Sequence, residues 1–245
     1  MTAQFLSELR KLTTTRSAYA LLVGLAAIVG LGTIAVITDG SGVNPSAPLE
    51  HQAFLNVVLS ITPLFALLLG IRSFTDEFRF GSIVPTLLAN PQRGRVLGAK
   101  VGAAAVGGIA LGIGATATAT AIGVPLLLGE GWEATWSAAA LGEVVGRLLA
   151  ATVLWSAIGV GLGLAVRHQV AAVAGALVWM VAGEGIVAGM LPDVARYFPG
   201  SAGYALVGLS EGTLLTAGAG AIVLAAYAIA SVATGARLMR RRDID

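Results

Sequence analysis

The sequence contains no cysteine and very little charge. Charged residues make up 11% of its 245 positions, whereas a soluble domain averages about 25%, so too few are present to cover the surface of a soluble globule. The absence of cysteine excludes disulfides, thiolate metal sites and a cysteine nucleophile. The net charge is only +2, which gives no indication of nucleic-acid binding. No G-x-x-x-x-G-K-[ST] motif is present, so we do not expect the chain to bind or hydrolyse ATP itself.

What the chain has instead is long apolar runs. Hydrophobic residues make up 56% of the sequence and the mean hydropathy is +0.86. A helix needs about 20 mostly apolar residues to cross a bilayer, and six apolar runs are close to that length or longer. They predict an all-α membrane protein with a single transmembrane domain over residues 1–245, and with spans at about 17–37, 52–71, 101–128, 144–166, 170–191 and 213–236.

The first residues, 2–16, have a helical apolar stripe. Four large apolar side chains fall within about 120° of each other at 100° per residue, and the charged residues, Glu8 among them, lie outside this stripe. We expect an amphipathic helix in the membrane interface, although a solvated tail with a chance stripe would show the same pattern. The predicted interfacial residues are Phe5, Leu6, Leu9 and Leu12.

The positive charges predict the orientation of the spans. If the N-terminus is cytoplasmic, 13 of the 15 Lys and Arg residues lie on the cytoplasmic side, and only Arg147 and Arg196 lie outside. This distribution follows the positive-inside rule and predicts a multi-pass protein of a bacterial inner membrane with both termini in the cytoplasm. It also places His51 and His168 on opposite faces, so no metal site is expected, and we identify no catalytic residue.

The longest polar interruption is residues 72–100, which we call the elbow. It contains five of the Lys and Arg residues. Gly81 is a suitable C-terminal stop for the helix of the second span, Ser82 can cap a new helix, and Pro91 disfavours a helical conformation at the residue before it. These signals predict a short helix exposed to the cytoplasm. Its apolar residues have no obvious core and are expected to meet a partner or the membrane interface: Ile83, Val84, Leu87 and Leu88.

The elbow resembles the cytoplasmic signature of type-two ABC exporter permeases. The similar segments are DEFRFGSI at 76–83, LLANP at 87–91 and RVLGAK at 95–100. The order of elements along almost the whole chain is also similar, including GVGLGL at 159–164 before a tight basic turn and the external segment after Leu191. Pro85 inside the short helix departs from the family pattern and makes the boundaries of that helix an open point.

The resemblance implies a function and partners. Two permease chains, alike or different, would form the pathway, and each would dock a separate ATPase subunit that binds ATP and Mg²⁺. Docking would use the interfacial helix and the short helix, which is called the coupling helix in this family. Residues 192–211 would form short re-entrant helices. The implied ATPase-coupling residues are Asp76, Glu77, Phe78, Arg79, Gly81, Ser82, Ile83, Val84, Leu87 and Leu88.

Glu184 is an acidic residue well inside an apolar run. A carboxylate within a bilayer is costly and usually faces a cavity or a partner. It is therefore a candidate pathway or gate residue, but Gly183 and Gly185 beside it equally suit a carboxyl group hydrogen-bonded between close helices. Glu143 and Arg147 have the i, i+4 spacing of a helix ion pair, and we expect that pair to be structural.

Two other functions remain open. A self-sufficient secondary transporter would need coupling-ion sites at mid-membrane, for which Glu184 is the candidate. A membrane scaffold without transport activity would use the elbow to dock some other protein. The cargo cannot be inferred from residues; family frequency favours a hydrophobic drug, a lipid or a lipid-linked molecule, and ion efflux is a further option.

Overall fold

A computed structural model describes residues 2–39, 53–89, 92–129, 131, 137–209 and 215–241. All regular secondary structure in these ranges is helical. The helices are α1 (Thr2–Thr14), α2 (Arg16–Thr38), α3 (Ala53–Arg79), α4 (Ile83–Ala89), α5 (Arg93–Gly129), α6 (Ala138–Val166), α7 (Gln169–Val178), α8 (Glu184–Met190), α9 (Pro192–Ala195), α10 (Pro199–Val207) and α11 (Ala217–Arg241), with one π-helical turn, Trp179–Gly183, between α7 and α8.

Six segments of the described chain are long and apolar enough to cross a membrane, which confirms the predicted number of spans and indicates a multi-pass membrane protein. They are α2, α3, α5, α6, α11 and a composite helix that runs from α7 through the π turn to α8. Two helices extend beyond their predicted spans at the elbow, because α3 continues to Arg79 and α5 already begins at Arg93.

The centre of the bundle is the contact between α3 and α6, where glycines allow the two backbones to approach closely. A Cβ at Gly70 would overlap the carbonyl oxygen of Ser156, and a Cβ at Gly159 would overlap that of Leu67. Close approach through small residues is the usual way in which membrane helices pack. Gly159 and Gly163 of the run GVGLGL therefore lie on the α6 face that meets α3, where a larger residue would separate the two helices.

The predicted break in the elbow is present. Gly81 has φ = +65° and ends α3, and the backbone N–H of Ser82 donates to the carbonyl oxygen of Glu77 at 3.0 Å. This six-to-one hydrogen bond with glycine in the left-handed region is a Schellman motif. The short helix α4 then begins at Ile83, as predicted. The predicted stop at Pro91 lies outside the described residues.

The start of α7 and the end of α11 lie at the same end of the bundle as the elbow. Arg79 donates to the side-chain oxygen of Gln169, the first residue of α7, at 3.4 Å. Arg93 donates to the carbonyl oxygen of Met239 near the end of α11. We call this the elbow end.

The helices α9 and α10 follow α8, and most residues of α10 are buried.

Candidate functional site

The helix α1 packs against the elbow with a charged residue in its buried face. Glu8 is 5% exposed, whereas Leu6 is 54% exposed. Glu8, which is outside the apolar stripe, is therefore buried, whereas Leu6 within the stripe is exposed. That the stripe lies in the membrane interface stays a prediction. Phe5 and Leu12 contact α5, since a Cβ at Gly102 or Gly107 would lie 3.1–3.2 Å from their side chains. The buried face is thus rotated from Leu6 towards Glu8.

Glu8 belongs to a group of four charged side chains, Glu8, Lys11, Glu77 and Lys100, which we call the elbow cluster. Lys100 Nζ lies 3.0 Å from Glu8 Oε2 and 2.8 Å from Glu77 Oε1. Lys11 Nζ lies 2.7 Å from Glu8 Oε1 and 2.6 Å from Glu77 Oε1. Each carboxylate therefore contacts both ammonium groups, and the cluster joins α1, α3 and α5 with no net charge.

Lys100 is the most deeply buried member of the cluster, at 1% exposure. Its ammonium group also donates to the carbonyl oxygen of Ser73 at 2.9 Å and lies 5.0 Å from the centre of the Phe74 ring. Isolated charges are very costly to bury, but a paired and fully hydrogen-bonded ammonium group can be accommodated. The position of Lys100 is therefore defined by partners on two other helices.

Lys11 connects the cluster to solvent, because its side chain is 44% exposed. Burial by itself lowers the pKa of Lys11, but the hydrogen bonds and negative charges of Glu77 and Glu8 outweigh this effect and raise the pKa above its ordinary value. Lys11 is therefore charged throughout the physiological pH range.

A cavity of about 120 Å³ adjoins the cluster between α1, α2, α3 and α5. Glu77 Oε2 and Ser73 Oγ belong to residues that line this cavity, and both atoms are buried without a hydrogen-bond partner among the described residues. A cavity of this size with polar walls can hold water molecules that bond to such atoms. The cluster therefore sits beside a polar space rather than in a dry core.

Asp76 and Phe78, two further residues predicted for the elbow, take part in contacts that connect α3 to its neighbours. Asp76 Oδ2 lies 3.2 Å from Arg72, which also donates to the carbonyl oxygen of Ser17 in α2 at 3.4 Å. The guanidinium group of Arg167 lies 5.1 Å from the centre of the Phe78 ring. These contacts hold the end of α3 against α2 and against the turn before α7.

The short helix α4 presents only part of its predicted apolar surface. Ile83 is 4% exposed and belongs to the core, so the prediction that it lacks a core is wrong. Val84 is 39% exposed and Leu88 is 80% exposed, and Phe80 beside them is 73% exposed. The side chain of Leu87 lies outside the described residues. Ile83 therefore anchors α4, and the exposed apolar surface is formed by its other face.

Glu184 follows the π turn and contacts the start of α10. Its two carboxylate oxygens accept hydrogen bonds from the backbone N–H groups of Gly200 at 2.9 Å and Ser201 at 3.2 Å. These N–H groups lack partners within α10, and the start of a helix also favours a negative charge. Gly200 is required here because a Cβ would overlap the carboxylate. This geometry gives Glu184 a capping role between α8 and α10.

The pair of Glu143 and Arg147 forms as predicted on the surface of α6.

A scan against models of known protein families finds no match for the chain, and a search of curated proteins finds none either. Function must therefore be argued from the geometry of the molecule and from the sequence.

The sequence interpretation missed the elbow cluster. Glu8 and Lys11 were assigned to the polar side of α1, and the resemblance includes Lys100 only as the lysine that closes a motif. Two signals were present: the i, i+3 spacing of Glu8 and Lys11 beside the apolar stripe, and the position of Lys100 directly before an uncharged run.

Proposed function

We propose that this chain is the permease subunit of an ATP-driven exporter of the type-two ABC class. The observation that carries the proposal is the elbow cluster. It ties α1, α3 and α5 together by buried charges, and α3 leads through Gly81 into α4, whose exposed face is apolar. An exposed apolar face on a short helix that connects two membrane spans, α3 and α5, is suited to receiving force from a partner.

The mechanism follows from this connection. The exposed apolar face of α4 and Phe80 would bind a groove on the ATPase subunit. Movement of α4 would pass to α3 through Ile83 and the short break at Gly81, and the cluster would move α1 and α5 with α3. Packed cores and ion-pair networks shift between discrete arrangements rather than deforming continuously. A displacement at α4 would therefore change how the spans pack.

The proposal includes several partners and a location. A second permease chain, identical or homologous, would complete the pathway, and two ATPase subunits would supply ATP and Mg²⁺ binding. The elbow end would face the cytoplasm of a bacterial cell, as the distribution of Lys and Arg favours. Helices α9 and α10 would re-enter the membrane from the other side. The cargo would be a hydrophobic drug, a lipid or a lipid-linked molecule.

The alternative of a secondary transporter has less support. Its coupling-ion site would need Glu184, whose two carboxylate oxygens already accept hydrogen bonds from the start of α10. A scaffold without transport activity would use the same α4 surface, so only a test of the partner separates it from the exporter.

Co-purification of this chain with an ABC ATPase subunit from its native host tests the proposal. Val84→Asp and Leu88→Asp place a charge on the exposed face of α4, and we expect each to reduce ATPase recovery at least about tenfold, the equivalent of about 1.4 kcal/mol. Val194→Asp is the matched control, because Val194 is a valine of α9 with 49% exposure. The proposal would be contradicted if the parent chain recovered no ATPase. It would also be contradicted if the parent chain and all three variants recovered the same amount. An ATPase that binds without cargo-stimulated activity would favour the scaffold.

A further inference from the structure

A crevice of about 460 Å³ opens between α6, α7 and α11, with the start of α10 at one end. Short residues line it, among them Gly175 on α7, which has open space where a Cβ would be, and Ala230 on α11. The composite span of α7 and α8 is one of the two least buried of the six. The crevice therefore opens sideways, towards the space that the bilayer would occupy.

The lining has the chemistry of a ligand site. Every described residue that lines the crevice is uncharged. Trp155 is buried in its wall, and Trp179 and Tyr227 are 43% and 38% exposed there. Ser231 and Thr234 provide hydroxyl groups. Small-molecule sites are typically clefts of about 300–1,000 Å³ with apolar and aromatic walls and a few polar groups, and this crevice meets that description.

The size of the crevice decides between possible occupants. A helix is about 10–12 Å wide with a pitch of 5.4 Å, so the space equals roughly one helical turn and cannot admit a helix from a second chain. A phospholipid would bring a charged headgroup, and the described lining has no charged side chain to bind it. A drug-sized, uncharged molecule that dissolves in the bilayer fits both the volume and the chemistry.

We propose that this crevice binds an uncharged, largely apolar molecule of drug size that enters from the bilayer, and that this molecule is the cargo. The assignment as cargo rests on the proposed exporter function, whereas binding itself does not. The aromatic rings of Trp155, Trp179 and Tyr227 would contact a flat apolar ligand, and the hydroxyl groups of Ser231 and Thr234 would bond to a polar atom on it.

Tryptophan fluorescence tests the binding without an ATPase. In a Trp132→Phe, Trp136→Phe background, only Trp155 and Trp179 emit. The chain is reconstituted into phosphatidylcholine vesicles, which contribute no tryptophan, and titrated with 1-bromonaphthalene, whose bromine quenches tryptophan. We expect saturable quenching. Gly175→Leu, which has open space for its Cβ, should raise the dissociation constant about tenfold or more by filling the crevice.

Gly185→Leu is the matched control, since Gly185 lies in the same span, has equally open space for a Cβ and does not line the crevice. Thr234→Leu blocks the opposite wall and serves if Gly175→Leu fails to fold. Quenching that never saturates, or that is equal in all variants, would overturn the site. Quenching by brominated phosphatidylcholine that Gly175→Leu abolishes would assign the crevice to lipid instead. Either result leaves the co-purification with the ATPase unaffected, so the two proposals fail separately.

Discussion

Removing the charge of Lys100 is the most direct test of the elbow cluster. Lys100→Met keeps most of the side-chain volume but eliminates two ion pairs of 2.8 and 3.0 Å and the hydrogen bond to Ser73. It leaves Glu8 and Glu77 buried with Lys11 as their remaining cation. Breaking a buried ion pair by removing one partner costs about 3–5 kcal/mol. We expect the free energy of unfolding to fall by this amount.

The assay is unfolding by sodium dodecyl sulfate in dodecyl maltoside micelles, followed by circular dichroism. Arg147→Met is the control, because the Glu143–Arg147 pair is 60% and 36% exposed and such pairs contribute about 0.2–1 kcal/mol. Adding Glu8→Gln to Lys100→Met should recover about 0.5–3 kcal/mol, since it removes the surplus negative charge and leaves Glu77 paired with Lys11. A loss for Lys100→Met no larger than the loss for Arg147→Met would refute the role given to the cluster.

Three further predictions concern helix packing, the cap of α10 and pH. Gly70→Ala forces a Cβ against α6 and should cost about 1–3 kcal/mol in the same detergent titration, whereas Gly185→Ala has open space and should not destabilise. Glu184→Ala removes the acceptors at the start of α10, so we expect a loss of about 1 kcal/mol and faster hydrogen exchange in α10. Because its neighbours raise the pKa of Lys11, the stability difference between the parent chain and Lys11→Met should be constant from about pH 7 to pH 10.5 and shrink as the pH rises further.

Each of these has a clear contrary outcome. Equal effects of alanine at Gly70 and Gly185 would mean that α3 and α6 do not pack as closely as described. Unchanged exchange in α10 after Glu184→Ala would remove the capping role and revive the gate hypothesis. A stability difference for Lys11 that already declines between pH 7 and 9 would mean that its pKa is lowered instead.

The spans and the break at Gly81 could be predicted because each depends on local sequence. An uncharged run of span length and a glycine between two helices have few structural solutions in a membrane. The elbow cluster could not be predicted, because Glu8 and Lys11 lie 66–92 residues away in the chain from Glu77 and Lys100. Their burial depends on which face of α1 meets α5, and that choice is made by tertiary packing. Ile83 illustrates the same limit: its burial follows from where α4 lies against the bundle.

The composition of the elbow cluster also has a consequence for the order in which the chain is assembled. Glu8 leaves the ribosome 92 residues before Lys100, an interval of roughly 5–20 s at usual rates of synthesis. During that time α1 has no complete partner. Each half of the cluster is already neutral, however, since Glu8 pairs with Lys11 in α1 and Glu77 pairs with Lys100 between α3 and α5. The two halves can therefore form independently, and α1 can dock last, after the third span has been inserted, as one neutral pair meeting another.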